Sequence, residues 1–88
     1  GWVAHEGNWF HRQLALLPGL FPMPSSANYL LLRGNDSLLE LRERVARRGV
    51  LLRDCRSFEG LGENWLRIGL QDRGGNRRIL RALRQELR

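Results

Sequence analysis

The spacing of apolar residues along the chain predicts three helices. Apolar positions three or four apart indicate a helix, because 3.6 residues complete one turn. Such stripes cover residues 4–17, residues 37–48 and the segment that follows Gly74-Gly75-Asn76. Pro18-Gly19 is expected to end the first helix. Asp36 or Ser37 can cap the second helix, Glu40 stands at the spacing of a capping box with Ser37, and Gly49 is expected to close it.

Short apolar segments between these helices predict strands. They are residues 28–33, 50–53 and 64–70, with Leu20-Phe21 at best an edge strand because the prolines that follow cannot donate to a central ladder. The first segment is continuously apolar and is predicted to be buried on both faces. The last alternates, which places Arg67 on the face opposite Leu66 and Ile68.

The order of these elements predicts an α+β fold. Too few residues separate segments 50–53 and 64–70 for a helical crossover, so the two are expected to pair antiparallel. The prediction is a two-layer sandwich, with the helices packed on one face of a small, mainly antiparallel sheet of three or four strands.

Composition limits the chemistry that this chain can carry out. Its 88 residues form one domain, residues 1–88, and the net charge is +6. All fifteen basic residues are Arg, which excludes a Lys nucleophile or Schiff base from within the chain. Cys55 is the only cysteine, and His5 and His11 lack ligand-like spacing, so we expect neither a disulfide nor a metal site. The single cysteine fits a reducing, cytoplasmic setting, and the lack of a membrane span or signal peptide in the sequence predicts a soluble chain. The start at Gly1 rather than Met suggests a fragment.

Two arginines on neighbouring strands are the candidate binding residues. Arg67 lies in a largely apolar strand, where a guanidinium is costly to desolvate unless it meets a carboxylate or phosphate. Arg53 ends the strand expected to pair with it and can reach the same place. The alternative is an ordinary solvated strand face. No acid, base or nucleophile accompanies the two arginines, so no catalytic residue is predicted.

The last helix carries a second basic feature. Opposite its apolar side, a stripe of exposed positions is formed by Arg77, Arg81, Arg84 and Arg88. Such a stripe can follow a phosphate backbone, but a solvated helix face is the favoured reading. No RNP-like aromatic motif, KH-type loop or zinc finger accompanies it, so nucleic-acid binding is not expected.

The order of several short motifs resembles one enzyme superfamily. The motifs are Leu17-Pro18-Gly19-Leu20, Asn28-Tyr29-Leu30-Leu31-Leu32-Arg33 after Pro24-Ser25-Ser26-Ala27, Val50-Leu51-Leu52-Arg53-Asp54-Cys55, Phe58-Glu59-Gly60-Leu61 and Trp65-Leu66-Arg67-Ile68-Gly69-Leu70. Together they resemble the C-terminal small domain of fold-type I pyridoxal-phosphate enzymes. Within that superfamily they are similar to histidinol-phosphate aminotransferases and more closely to the threonine-phosphate decarboxylases of cobalamin biosynthesis. The Arg-Asp-Cys tripeptide followed by Phe-x-Gly-Leu favours the decarboxylase branch.

The resemblance implies roles for particular residues. Arg67 matches the arginine that grips the α-carboxylate of the substrate, and Arg53 matches one that binds its anion, the phosphate. Asn28 and Tyr29 match a stretch that lines the cleft. The Schiff-base lysine and the other residues that hold pyridoxal phosphate belong to the large domain in this family. The resemblance therefore implies a module that binds a phosphorylated amino acid but no cofactor, and that is inactive alone.

Partners follow from the same resemblance. The large pyridoxal-phosphate domain of a parent decarboxylase or aminotransferase is the implied partner, and an exposed interdomain face can instead form a homodimer. A different hypothesis makes the chain a free-standing basic module that binds RNA or an acidic protein surface through the arginine stripe. A regulatory domain of ACT-like architecture is the third alternative, but it does not explain Arg67.

Overall fold

The sequence forms three helices and four strands within the part of the chain that the computed structural model describes, residues 2–24 and 28–87. In chain order these elements are α1 (Trp2–Ala15), β1 (Leu20–Pro24), β2 (Tyr29–Gly34), α2 (Leu39–Arg47), β3 (Arg53–Asp54), β4 (Trp65–Gly69) and α3 (Arg73–Glu86). The strands form one sheet in the order β1-β2-β4-β3, and every neighbouring pair is antiparallel. This confirms the predicted α+β class and the antiparallel pairing of β3 with β4.

The three helices cover one face of the sheet. Leu30 and Leu32 of β2 lie opposite Ile68 and Leu66 of β4, and all four are buried. They form one core with apolar residues of all three helices, which include Phe10, Leu14, Leu41, Val45, Ile79, Leu80 and Leu83. The core therefore sits between a helical layer and a sheet, as the sandwich prediction requires.

The other face of the sheet carries none of the helices of residues 2–24 and 28–87. On β2 and β4 the residues between the core positions, among them Tyr29, Arg33 and Arg67, are only half-buried. The prediction that residues 28–33 are buried on both faces was therefore wrong. Antiparallel sheets commonly leave one face uncovered, and the apolar Leu31 lies on that face here.

The strand ends differ from the predictions for local reasons. β1 extends through Pro22 and Pro24, which an edge strand tolerates because one side of it needs no donors. β3 contains only Arg53 and Asp54 instead of residues 50–53. The carbonyl of Leu52 accepts from Arg42 Nε at 2.8 Å, so this group is satisfied outside the ladder.

The predicted capping box of α2 is absent. Leu38 occupies the N-cap position, where it is buried, and its N–H donates to the carbonyl of Glu63 at 2.8 Å. Ser37 Oγ accepts only from the N–H of Leu39, at 3.3 Å. Core packing of Leu38 therefore sets the start of this helix, while Gly49 follows its end with a positive φ of 86°, as expected for a helix stop.

The helices at the two ends of the chain also have shifted bounds. α1 ends at Ala15, two residues before the predicted end, and Leu17 reaches the core from the following turn. Helix α3 starts earlier than predicted, because Asp72 caps it by accepting from the N–H of Gly75 at 2.7 Å. Gly75 thus lies in the first turn, where a Cβ would come within 2.2 Å of Gln71 Oε1.

A buried carboxylate connects α1 to the start of α3. Glu6 is 2% exposed, and both of its oxygens accept from Arg73 Nε, at 2.9 and 3.0 Å. Asn76 Nδ2 donates to Glu6 Oε1 at 3.1 Å. The side-chain amide of Asn76 also accepts from the N–H of Gln71 and donates to the carbonyl of Gln71, each at 3.0 Å. The Arg73 guanidinium lies 3.8 Å from the centre of the Trp9 ring. These contacts fix the turn between β4 and α3.

We expect Glu6→Gln to lower the free energy of unfolding at neutral pH by about 2 kcal/mol, because it removes the charge from a buried, hydrogen-bonded pair. The hydrogen bond from Arg73, aided by Asn76, holds the pKa of Glu6 below its ordinary value of 4.5 despite burial. The stabilisation is therefore present above pH 4.5 and is lost as the pH falls through the lower folded-state pKa. Urea unfolding of both proteins at neutral and acidic pH measures this difference.

The matched control is Glu59→Gln, which removes the same charge from an exposed loop position. A difference between Glu6→Gln and the parent chain that stays constant down to acidic pH would contradict the assignment of the stabilisation to the ionised carboxylate.

Candidate functional site

Two arginines face each other on the open face of the sheet. Arg53 of β3 and Arg67 of β4 are direct cross-strand partners, so their side chains leave the same face close together. Like charges in this position repel. Among the described residues, neither guanidinium has a carboxylate partner or a hydrogen-bond acceptor. The pair is therefore suited to an anion from outside the chain.

The predicted site residues surround one depression. A cavity of about 390 Å³ is lined by Arg53, Arg67, Asn28 and Tyr29, and the structure thus brings together all four residues that the sequence singled out. Its size lies at the small end of the range for ligand pockets, about 300–1,000 Å³. The position of Asn28 is fixed because its carbonyl accepts from the N–H of Leu70 at 2.8 Å, which extends the β2–β4 ladder.

Three further residues that line the cavity were missed by the sequence analysis: Leu51, Gly69 and Gln71. Gly69 lies opposite Tyr29, and a Cβ there would meet nothing within 4 Å, so the floor beside the ring is open. Gln71 is held by its backbone contacts with Asn76. The only sequence signal for these residues was their position at or just beyond a strand end, where side chains commonly border clefts.

Aromatic rings contact the arginines of this face. The Arg67 Cζ atom lies 5.3 Å from the ring centre of Tyr29 and 5.8 Å from that of Phe58, which lies in the loop between β3 and β4. Near the other edge of the sheet, Arg33 lies 4.7 Å from the ring centre of Phe21. These distances are within the range of cation–π attraction, which restrains a guanidinium without using its N–H donors.

The titratable groups beside the arginines are not set up for catalysis. Burial raises the pKa of the Cys55 thiol, and the positive charge of Arg67 only partly offsets this effect. The backbone N–H of Arg56 donates to Asp54 Oδ1 at 3.1 Å and, with the Arg56 side chain, lowers the pKa of Asp54. A buried thiol with a raised pKa is a poor nucleophile, and a stabilised carboxylate is a poor base.

The described residues also show no metal site. No group of three or more His, Cys, Asp and Glu side chains is placed there to hold an ion. His11 Nε2 lies 3.1 Å from the carbonyl of Pro22, a contact that connects α1 with β1. Within the same residues, no helix has the length and apolar character that a bilayer span requires.

The arginine stripe of α3 lies on the helical side of the molecule. Arg77, Arg81 and Arg84 are exposed and line a groove of about 320 Å³ between α3 and α1, together with Trp9 and Gln13. Arg84 Nη2 donates to Gln13 Oε1 at 3.2 Å. Arg88, the last member of the predicted stripe, lies outside the described residues.

Comparison with known sequences finds related enzymes but no matching family model. The chain is 36% identical over 86 residues to a threonine-phosphate decarboxylase from Salmonella typhimurium, a match that covers 98% of this chain and 24% of the relative. It is 33% identical over 82 residues to a histidinol-phosphate aminotransferase from Methanopyrus kandleri, covering 90% of this chain and 21% of the relative. The chain therefore spans about a quarter of the length of these relatives.

Comparison with solved structures finds enzymes with the same two names. The histidinol-phosphate aminotransferase from Clostridium acetobutylicum superposes with a TM-score of 0.86 and 26% identity, covering 96% of this chain and 26% of that one. The L-threonine-O-3-phosphate decarboxylase from Porphyromonas gingivalis superposes with a TM-score of 0.86 and 29% identity, with the same coverage of both chains.

We expect Cys55 to react slowly with a disulfide reagent such as dithionitrobenzoate in the folded protein, because the thiol is fully buried and its pKa is raised. The measurement is the rate of thiolate release under native conditions and in guanidinium chloride. Only the unfolded chain should react at the rate of a free thiol, and fast labelling of the native chain would refute a structural role for Cys55.

Proposed function

We propose that this chain is the substrate-anion-binding part of a fold-type I pyridoxal-phosphate enzyme. The premise is homology: the chain belongs to the C-terminal small-domain region of these enzymes, in the group of threonine-phosphate decarboxylases and histidinol-phosphate aminotransferases. The homology confirms the resemblance indicated by the ordered motifs. The proposal extends it to a substrate class, a phosphorylated amino acid, and to decarboxylation in cobalamin biosynthesis or a related transamination, in the cytoplasm.

The observation that carries this proposal is the pair Arg53 and Arg67, for which the described part of the chain offers no anionic partner. Two positive charges held against each other on one strand pair are relieved by a ligand with two anionic groups, as in a phosphorylated amino acid. The resemblance to the family assigns the carboxylate to Arg67 and the phosphate to Arg53, and the planar fork of a guanidinium suits either anion. Tyr29 and Asn28 border the same space. The contribution of this chain is to orient the substrate.

The residues of this chain do not fit the cofactor that the family uses. Pyridoxal phosphate is held as a Schiff base by a lysine, and none of the 88 residues is Lys. We therefore propose that the chain binds no cofactor, and that it is inactive without a large domain that supplies it.

The open face of the sheet supports such a partner. Phe21, Met23 and Phe58 are between 38% and 45% exposed, and Leu51 is 84% exposed. They lie beside both edges of the sheet, and exposed apolar side chains on an uncovered face are typical of a protein contact surface. The large domain is the occupant we propose, since it would close the cavity over the two arginines. A homodimer through the same face is the alternative. Sedimentation of the isolated chain distinguishes the two, because a homodimer has twice the mass of the monomer that the first proposal expects.

We expect O-phospho-L-threonine to bind the chain with a dissociation constant of about 1–10 mM, because half a cleft leaves the ligand largely solvated. Arg67→Met and Arg53→Met should each weaken binding about tenfold by removing a charge-assisted contact. The measurement is a chemical-shift titration of the ¹⁵N-labelled chain at constant ionic strength. Arg78→Met, an equal charge change on exposed α3, is the matched control and should leave the affinity unchanged. Equal weakening by all three variants would reduce the site to net charge and overturn the proposal.

A second candidate function is supported by the groove between α1 and α3. Three exposed arginines, with Trp9 at the side, give it the positive charge and aromatic surface that single-stranded nucleic acids contact. This function would make the chain a basic module for RNA, with an acidic protein surface as the other occupant. The first function is better supported, because it explains why Arg53 and Arg67 have no acceptor among the described residues.

The two functions predict different results with a fluorescein-labelled oligouridine. RNA binding through the groove requires an affinity that falls steeply with salt and is lost when Arg77, Arg81 and Arg84 are replaced by Gln. Replacement of Arg44, Arg47 and Arg56, which lie outside the groove, removes the same charge and serves as the control. We expect no difference between the two triple variants in fluorescence anisotropy. A selective loss in the groove variant would favour the second function.

A further inference from the structure

We propose that Phe58 is a positioning residue that holds the Arg67 guanidinium ready for a ligand. The inference rests on the proposed function of Arg67 and adds a residue from a different element of the fold. Phe58 lies in the loop between β3 and β4, outside the residues that line the cavity. Its ring centre is 5.8 Å from Arg67 Cζ.

The first step of the argument is how Arg67 is held. An arginine side chain has several rotatable bonds, and immobilising it costs conformational entropy. In most sites a carboxylate provides the restraint, but it also occupies the N–H donors and cancels the charge. Among the described residues, Arg67 contacts no carboxylate and has two aromatic neighbours, Tyr29 and Phe58. Ring contacts restrain the guanidinium and leave its charge and its N–H donors for a ligand.

The second step is that the two rings have different supports. Tyr29 belongs to β2, next to β4 in the sheet, so its position is set by the ladder. Phe58 is 45% exposed and is not one of the described core residues, so core packing does not explain why an aromatic residue stands there. Its contact with Arg67 gives the ring a role within the chain itself, in addition to the contact surface proposed for the large domain.

The third step is that the loop is built to hold Phe58 in place. The N–H of Phe58 donates to the carbonyl of Cys55 at 3.0 Å, and the carbonyl of Phe58 accepts from the N–H of Leu61 at 3.2 Å. Cys55 is fully buried and anchors the start of this turn. Gly60 has a φ of 80°, which L side chains rarely adopt, so the chain can reverse there at little cost. Two consecutive turns thus present the ring to Arg67.

The same sheet face offers a matched control. Phe21 is 40% exposed and lies 4.7 Å from Arg33, so it has similar exposure and the same kind of cation–π contact. Neither Phe21 nor Arg33 lines the cavity. Phe21→Leu therefore removes an equivalent ring contact without touching the proposed site.

The test compares Phe58→Leu, Phe58→Tyr and Phe21→Leu by NMR, using the Nε–Hε signal of Arg67 in the ligand-free chain and titration with O-phospho-L-threonine. We expect Phe58→Leu to lower the ¹⁵N order parameter of Arg67 Nε and to weaken binding about two- to fivefold, the effect of one exposed cation–π contact. Phe58→Tyr keeps a ring and should restore both values, and Phe21→Leu should change neither.

The outcomes separate this inference from the proposed function. An unchanged order parameter of Arg67 in Phe58→Leu overturns the positioning role, whatever the affinity. A lowered order parameter in Phe58→Leu alone, in a chain whose parent form does not bind O-phospho-L-threonine, supports the positioning role and overturns the proposed substrate. Equal effects of Phe58→Leu and Phe21→Leu would indicate a general loosening of the sheet and would also overturn the inference.

Discussion

The architecture depends on the buried Glu6 carboxylate. A charge that is 2% exposed is tolerated only with full hydrogen bonding, and Arg73 and Asn76 provide it from the first turn of α3. Because Asn76 also bonds both backbone groups of Gln71, the same network fixes the turn that follows β4. One ionic contact therefore couples two helices at the ends of the chain to the strand that carries Arg67.

The open face of the sheet follows from how the helices are placed. With all three helices on one side, the alternating residues of β2 and β4 cannot all be buried, and the set that contains Tyr29, Arg33 and Arg67 faces outward. The antiparallel register then sets Arg53 directly opposite Arg67. Like charges in this register repel each other, and the exposure of Arg53 to solvent moderates the repulsion.

Much of this arrangement could be predicted from the sequence. The alternation around Arg67 predicted its face, and the short separation from residues 50–53 predicted the strand that carries its neighbour. Local patterns failed where tertiary contacts decide the outcome. The carbonyl of Leu52 is bonded by Arg42, and Leu38 takes the cap position in preference to Ser37 because its side chain packs in the core. The role of Glu6 could not be predicted, since its partners are 67 and 70 residues away along the chain.

Residue type alone does not identify the binding site in a chain whose fifteen basic residues are all arginine. Their surroundings distinguish them. Arg73 compensates a buried carboxylate, Arg48 bonds Glu86 and Gln85 across two elements, and Arg42 satisfies a backbone carbonyl. These side chains are committed to the fold. Arg53 is exposed and held by β3, while Arg67 is half-buried and held by β4 and two rings. The two are cross-strand neighbours, and the described residues do not use their donors. Arg33 is held in a similar way by β2 and the Phe21 ring, but it lies outside the cavity. Arg53 and Arg67 share one cavity, and this is why we propose that the ligand meets these two.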